Sequence, residues 1–237
     1  MRKILAIAAL AFLLESLLPA SPRIARAQSS ASLYPAMAPL DQYLISGKDS
    51  EIALARTAAP KSISDAASVM VLTRAGYETA SPGANGFLCL VERSWGADTA
   101  NSDFWNPKVR SPICFNPAAA RTFAPIYLLK TRLVLAGKSK SQILQSVSSA
   151  LDSKSIPPLE PGSMCYMLSK QQYLNDAGKS WHPHVMFFVS GDVASTWGAN
   201  LDGSPMIAAS DPEERVTIFM LWLPKWSDGS PAPAMDY

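Results

Sequence analysis

The last third of the chain carries three continuous apolar runs, MCYML (164–168), HVMFFV (184–189) and VTIFMLWL (216–223), each bounded by polar or turn-forming residues. Runs this short, with no polar alternation, predict strands covered on both faces or nearly so. The cover comes from upstream. Asn116 and Pro117 form an N-cap and first-turn pair ahead of AAARTFAPIYLLKTRLVLA, which ends at Gly137. That segment is apolar most of the way round, which predicts a central buried helix, kinked or divided at Pro125. Ser139 and Gln142 have the spacing of a capping box for a second helix with Ile143, Leu144, Val147 and Leu151 on one face.

The first half is less regular. Asp49 is placed as the N-cap of a short helix that stops at Pro60. ASVMVLTRAGYETASPGANGFLCLVERSW predicts a small antiparallel meander, its third strand running from Phe87 to about Ser94 with Phe87, Cys89 and Val91 on one face. Residues 96–117 are rich in turn formers and predict an irregular loop. The expected fold is a single α+β domain over residues 49–237, with a central buried helix packed on an antiparallel sheet.

The first 27 residues have the three parts of a secretory signal peptide: Arg2 and Lys3, an apolar run from Ile4 to Leu14, and Ala25-Arg26-Ala27 as the cleavage site. Residues 28–48 follow as an N-terminal arm. Removing the leader takes four of 21 basic and one of 19 acidic residues, leaving 17 against 18. A nearly neutral chain with no Lys/Arg run argues against nucleic acid or a charged membrane surface as partner. No later stretch has the roughly 20 apolar residues of a membrane span. The expectation is a soluble exported protein, periplasmic or extracellular.

The three cysteines, Cys89, Cys114 and Cys165, allow one disulfide and one free thiol in an oxidising compartment, with the pairing open. The only two histidines, His182 and His184, project to one side of an extended strand. Together with Cys165, and with Asp176 or Asp192, they form one candidate metal set, although two ligands are not a site. Cys114 stands two residues before the Asn116 cap, where the amides and dipole of the following helix favour a thiolate. A strand-borne His184 would then be its general base.

EPGSMCYML followed by HPHVMFFVSGD resembles the Pro-Gly strand and His-Val strand of the papain-like NlpC-type cell-wall peptidases, over residues 112–223. The resemblance implies a papain-like fold and a thiol hydrolase or amidase acting on a peptide or cell-wall fragment. By position it makes Cys114 the nucleophile, His184 the base and Asn200 the residue that orients the imidazole. The family's Asp-Cys-Ser-Gly signature is replaced here by Ile113-Cys114-Phe115-Asn116.

A non-catalytic reading uses the six tryptophans, Trp95, Trp105, Trp181, Trp197, Trp222 and Trp226. Four of them fall in predicted loops or strand ends, where they would form a binding surface for envelope glycan or protein. Asp98, Asp103, Asp192 and Asp202 supply carboxylates, but their spacing selects no catalytic pair. No G-x-S-x-G, S-x-x-K, P-loop or H-E-x-x-H motif is present, and no cofactor is read from the chain.

Overall fold

The computed structural model describes residues 33–234; the expected signal peptide lies outside the described residues. Among the described residues a single mixed sheet of eight strands organises the fold, so the domain is α+β. The strands are β1 (Ser68–Thr73), β2 (Gly76–Ser81), β3 (Leu88–Glu92), β4 (Ser111–Phe115), β5 (Met164–Met167), β6 (His184–Ser190), β7 (Met206–Asp211) and β8 (Val216–Trp222), and they lie in the order β2-β1-β3-β4-β5-β6-β8-β7. The helices are α1 (Lys48–Arg56), α2 (Lys61–Ser64), α3 (Pro117–Thr122), α4 (Ala124–Leu135) and α5 (Lys140–Asp152).

The first three strands are not the expected antiparallel meander. β1 and β2 form a hairpin, but β3 pairs with β1 in parallel, Ser68 opposite Leu88 and Val69 opposite Cys89. The chain must therefore cross the start of β1 between β2 and β3. It does so at Gly83, where a Cβ would lie 2.1 Å from the Ser68 nitrogen. Only glycine permits that approach. The crossing is held by hydrogen bonds from the Ala84 amide to the Ala66 carbonyl and from the Ser68 amide to the Phe87 carbonyl, each 2.9 Å.

Residues opposite each other in adjacent strands share a face, and neighbours along a strand alternate. Cys89, Cys114, Tyr166, Val185 and Leu221 consequently form one row across β3, β4, β5, β6 and β8. At the β1–β3–β4 end this face is covered by α1, with Ala55, Ala58 and Ala59 against Val69, Cys89, Val91 and Cys114. On the other face Leu90, Ile113, Phe115, Cys165 and Phe188 pack with Phe123, Ile126 and Tyr127 of the α3–α4 region and with Ile143 and Val147 of α5.

The helices follow their local signals. The Asn116 side chain accepts from the Ala119 amide, and both arms of the Ser139/Gln142 capping box are made. The long apolar segment divides at Phe123, just before Pro125, into α3 and α4. The N-terminal helix begins one residue before Asp49 and its cap is Gly47. In the segment before it Tyr43 is fully buried, and its hydroxyl donates to the Trp105 carbonyl at 2.7 Å. A buried ion pair completes the lock. Arg93 donates to Glu51 at 2.9 Å and to the Tyr43 carbonyl at 2.6 Å, and the same Glu51 oxygen accepts from the Leu72 amide.

Candidate functional site: an aromatic platform beside an apolar cavity

The structure places Cys114, His184 and Asn200 in three separate environments. Cys114 is fully buried, lies directly opposite Cys89 in the β3–β4 ladder and is joined to it by a disulfide. A sulfur in that bond has no thiolate to offer. His184 is the neighbour of Val185, which shares Cys114's row, so its side chain leaves the opposite face of the sheet. The residue order Cys, helix, helix, strand, His-strand thus fails to bring nucleophile and base together.

His184 is only 2% exposed, and its Nδ1 lies 2.7 Å from the His182 carbonyl. A carbonyl can only accept, so Nδ1 carries the proton and the lone pair is on Nε2. Burial pushes the imidazole pKa down, against the opposing effect of that bond. Trp181 meets the ring edge-on at 4.7 Å, and Trp222 lies 6.0 Å from the His182 ring. Cys165, the free thiol, is fully buried, which pushes its pKa well up. Among the described residues no group of three His, Cys, Asp or Glu side chains is arranged to hold a metal ion, so His182, His184 and Cys165 do not converge.

Asn200 has a different task. β7, missed by the sequence reading, is a sheet edge, and its outward backbone groups need partners. The Asn200 amide supplies them: Nδ2 donates to the Ala208 carbonyl at 2.8 Å, and Oδ1 accepts from the Ala208 amide at 3.0 Å. Its own amide donates to the Met206 carbonyl at 3.0 Å. Asparagine also tolerates the left-handed backbone found there, φ 62°. Asn200 is thereby a clamp that ties the 194–204 segment to β7.

What that segment presents is Trp197. Trp95 and Trp105 are core residues, whereas Trp197 is 48% exposed and Leu201 65% exposed. The Trp197 ring lies nearly parallel to Phe219, 4.3 Å away with a 20° interplanar angle. Phe219 is itself fully buried with Ala199 and Ala208, so one face of the indole is fixed against the sheet. Trp197 walls a cavity of about 340 Å³ with Leu159, Pro161, Phe187 and Val189, whose polar edge is Ser163 and Ser190. Pro161 and Gly162, the turn before β5, form its rim. Gly162 adopts φ 79°, and its carbonyl accepts from Asn116 at 2.8 Å.

The segment that carries Trp197 is acidic. Residues 180–214 contain Asp192, Asp202, Asp211, Glu213 and Glu214 and no Lys or Arg. Glu214 is neutralised by Lys130 at 3.1 Å, and Glu160 on the rim by Arg121 at 2.7 Å. Asp192 is held by the Ser210 hydroxyl at 2.7 Å. The sequence signal for this site was limited to Trp197 as one of six tryptophans; the apolar wall arises from residues far apart in the chain. Comparison with protein-family models, curated proteins and solved structures finds no match for the chain.

Proposed function

We propose that this chain is an exported, non-catalytic interaction module that captures a protein segment through an apolar side chain flanked by Lys or Arg. The observation that carries the reading is the exposed Trp197, stacked on Phe219 at the mouth of the apolar cavity. An indole with one face already immobilised gives contact area at little entropic cost, which is why tryptophan anchors so many interfaces. The cavity volume sits at the lower end of the roughly 300–1,000 Å³ range of small-ligand pockets, adequate for one large side chain. Asp192 and Asp202, which flank Trp197 in a segment without Lys or Arg, supply the electrostatic preference for a basic flank.

Export is part of the same reading. It rests on the leader pattern of residues 1–27 and on the Cys89–Cys114 disulfide, a bond that persists chiefly in oxidising compartments. The thiol-hydrolase reading is left without a free Cys114 or a neighbouring base.

The test is selection from a random peptide library on the purified protein, followed by affinity measurement on the wild type and Trp197→Ala. Selected peptides should carry an apolar residue beside Lys or Arg, weaken with added salt, and lose about tenfold or more, roughly 1.4 kcal/mol, in Trp197→Ala. Peptides that bind Trp197→Ala equally well, or a library that yields none, would reject the proposal.

A further inference from the structure

Away from Trp197, at the ends of β3 and β4, Glu92 and Ser111 stand directly opposite each other in the ladder. Both line a cavity of about 380 Å³, walled also by Gly96, Asn101, Asp103 and Asn175. Ser111 is only 7% exposed, yet its hydroxyl makes no hydrogen bond among the described residues, and neither does the Glu92 carboxyl. Glu92 is partly buried, and because both side chains line the cavity without a bond to the protein, both are available to a molecule that enters it.

The two buried cations beside the cavity are already engaged. The Arg93 guanidinium is engaged by Glu51, the Tyr43 carbonyl and the Val91 carbonyl. The Lys130 ammonium is engaged by Glu214 and the Ala97 carbonyl. An anionic ligand would find no uncommitted buried counter-charge here. Lining groups that combine hydroxyl, carboxyl and amide functions instead suit a neutral molecule dense in hydrogen-bonding groups.

We propose that this cavity is a ligand site, separate from the Trp197 surface, for an uncharged hydroxyl-rich ring of single-sugar size, held by Glu92 and Ser111 as paired hydrogen-bonding partners. The protonation of Glu92 fits that role. Burial, reinforced by Glu214 and opposed by Lys130, pushes its pKa up to about 8. The titratable groups around it are Lys130 and Tyr127 from α4, Glu214 from the β7–β8 turn, Cys165 from β5 and Tyr77 from β2. Below that pH Glu92 is a neutral acid, offering one O–H donor and one carbonyl acceptor, the complement of a pair of adjacent hydroxyls. Gly96 makes room for it: a Cβ there would lie 3.1 Å from Glu92 Oε2.

The experiment titrates the purified protein with glucose, N-acetylglucosamine and, as a charged control, glucose 6-phosphate, using saturation-transfer NMR and calorimetry at about pH 6 and about pH 9. A neutral sugar should bind near pH 6 and the phosphate should not. Affinity should fall about tenfold near pH 9 in the wild type and stay level in Glu92→Gln. Ser111→Ala should weaken binding about fivefold, and Trp197→Ala should leave it unchanged. The Glu92 carboxyl ¹³C resonance in the wild type gives a readout independent of variant folding, and its pKa should rise when sugar is bound. Absence of neutral-sugar binding near pH 6, an unchanged Glu92 titration, or loss of binding in Trp197→Ala would each overturn the proposal.

Discussion

Cys114 and His184 leave the central sheet from opposite faces. Cys114 lies in the row Cys114, Tyr166, Val185, and His184 is the next residue along β6. No side-chain rotation brings their reactive atoms together, because strand alternation, not rotamer, separates them. A second barrier is covalent: Cys114 is bonded to Cys89 within the α1-covered core.

Thiol chemistry follows directly. The native protein without reductant should take up no iodoacetamide near neutral pH, since its one free thiol, Cys165, is fully buried and its pKa is raised. After unfolding it should take up one equivalent, mapped to Cys165 by peptide mass spectrometry. His184→Ala should leave this pattern unchanged.

Removing the bridge costs stability. Its loop spans a sequence separation of 25, for which chain entropy predicts about 3.5 kcal/mol. Replacing both cysteines by alanine should lower the urea midpoint accordingly, while sparing ligand binding at the distant Trp197 surface.

The Arg93–Glu51 pair should be more sensitive still. Both groups are buried, and Arg93 also serves two backbone carbonyls. Glu51→Gln or Arg93→Met leaves the remaining partner without its counter-charge and should cost about 3–5 kcal/mol, measured by denaturant unfolding.

Asn200 divides structure from function in the 194–204 segment. Asn200→Ala removes both bonds to Ala208 and strains the positive φ. A loss of about 1–3 kcal/mol is expected. Hydrogen exchange should quicken at Ala208, and peptide affinity should fall because Trp197 is less well fixed.

Stability should depend on pH through Glu92. Its folded pKa of about 8 exceeds the usual 4.5, so between those values the native state holds a proton that the unfolded chain has released. Its contribution is present below pH 4.5 and is lost as pH rises through about 8. Glu92→Gln should therefore gain in Tm over the wild type as pH rises across that window. His184, with a lowered folded pKa, acts in the opposite sense: its neutral form favours folding above the ordinary value of 6.5, and this is lost as pH falls through the folded value.

Much of the fold is local and was legible. The Asn116-Pro117 cap, the Ser139/Gln142 box, the break beside Pro125 and the strands β5, β6 and β8 all follow from adjacent residues. The parallel β1–β3 pairing was not legible, because it depends on the chain crossing itself at Gly83. β4 was hidden by Pro112 and by its turn-rich flanks, and β7 by its shortness and its polar residues Ser210 and Asp211, tolerated at an edge. The site failed to show for the same reason. Which face Cys114 or His184 takes is set by register across β4, β5 and β6, and register is a tertiary property.

Indole ¹⁵N NMR of the purified protein during titration with a selected basic-apolar peptide tests whether Trp197 is the contact surface. The Trp197 indole resonance should shift saturably with the peptide while that of the buried Trp95, hydrogen-bonded to Thr131 at 2.9 Å, stays in place. Saturable binding with the Trp197 resonance unmoved would contradict that role.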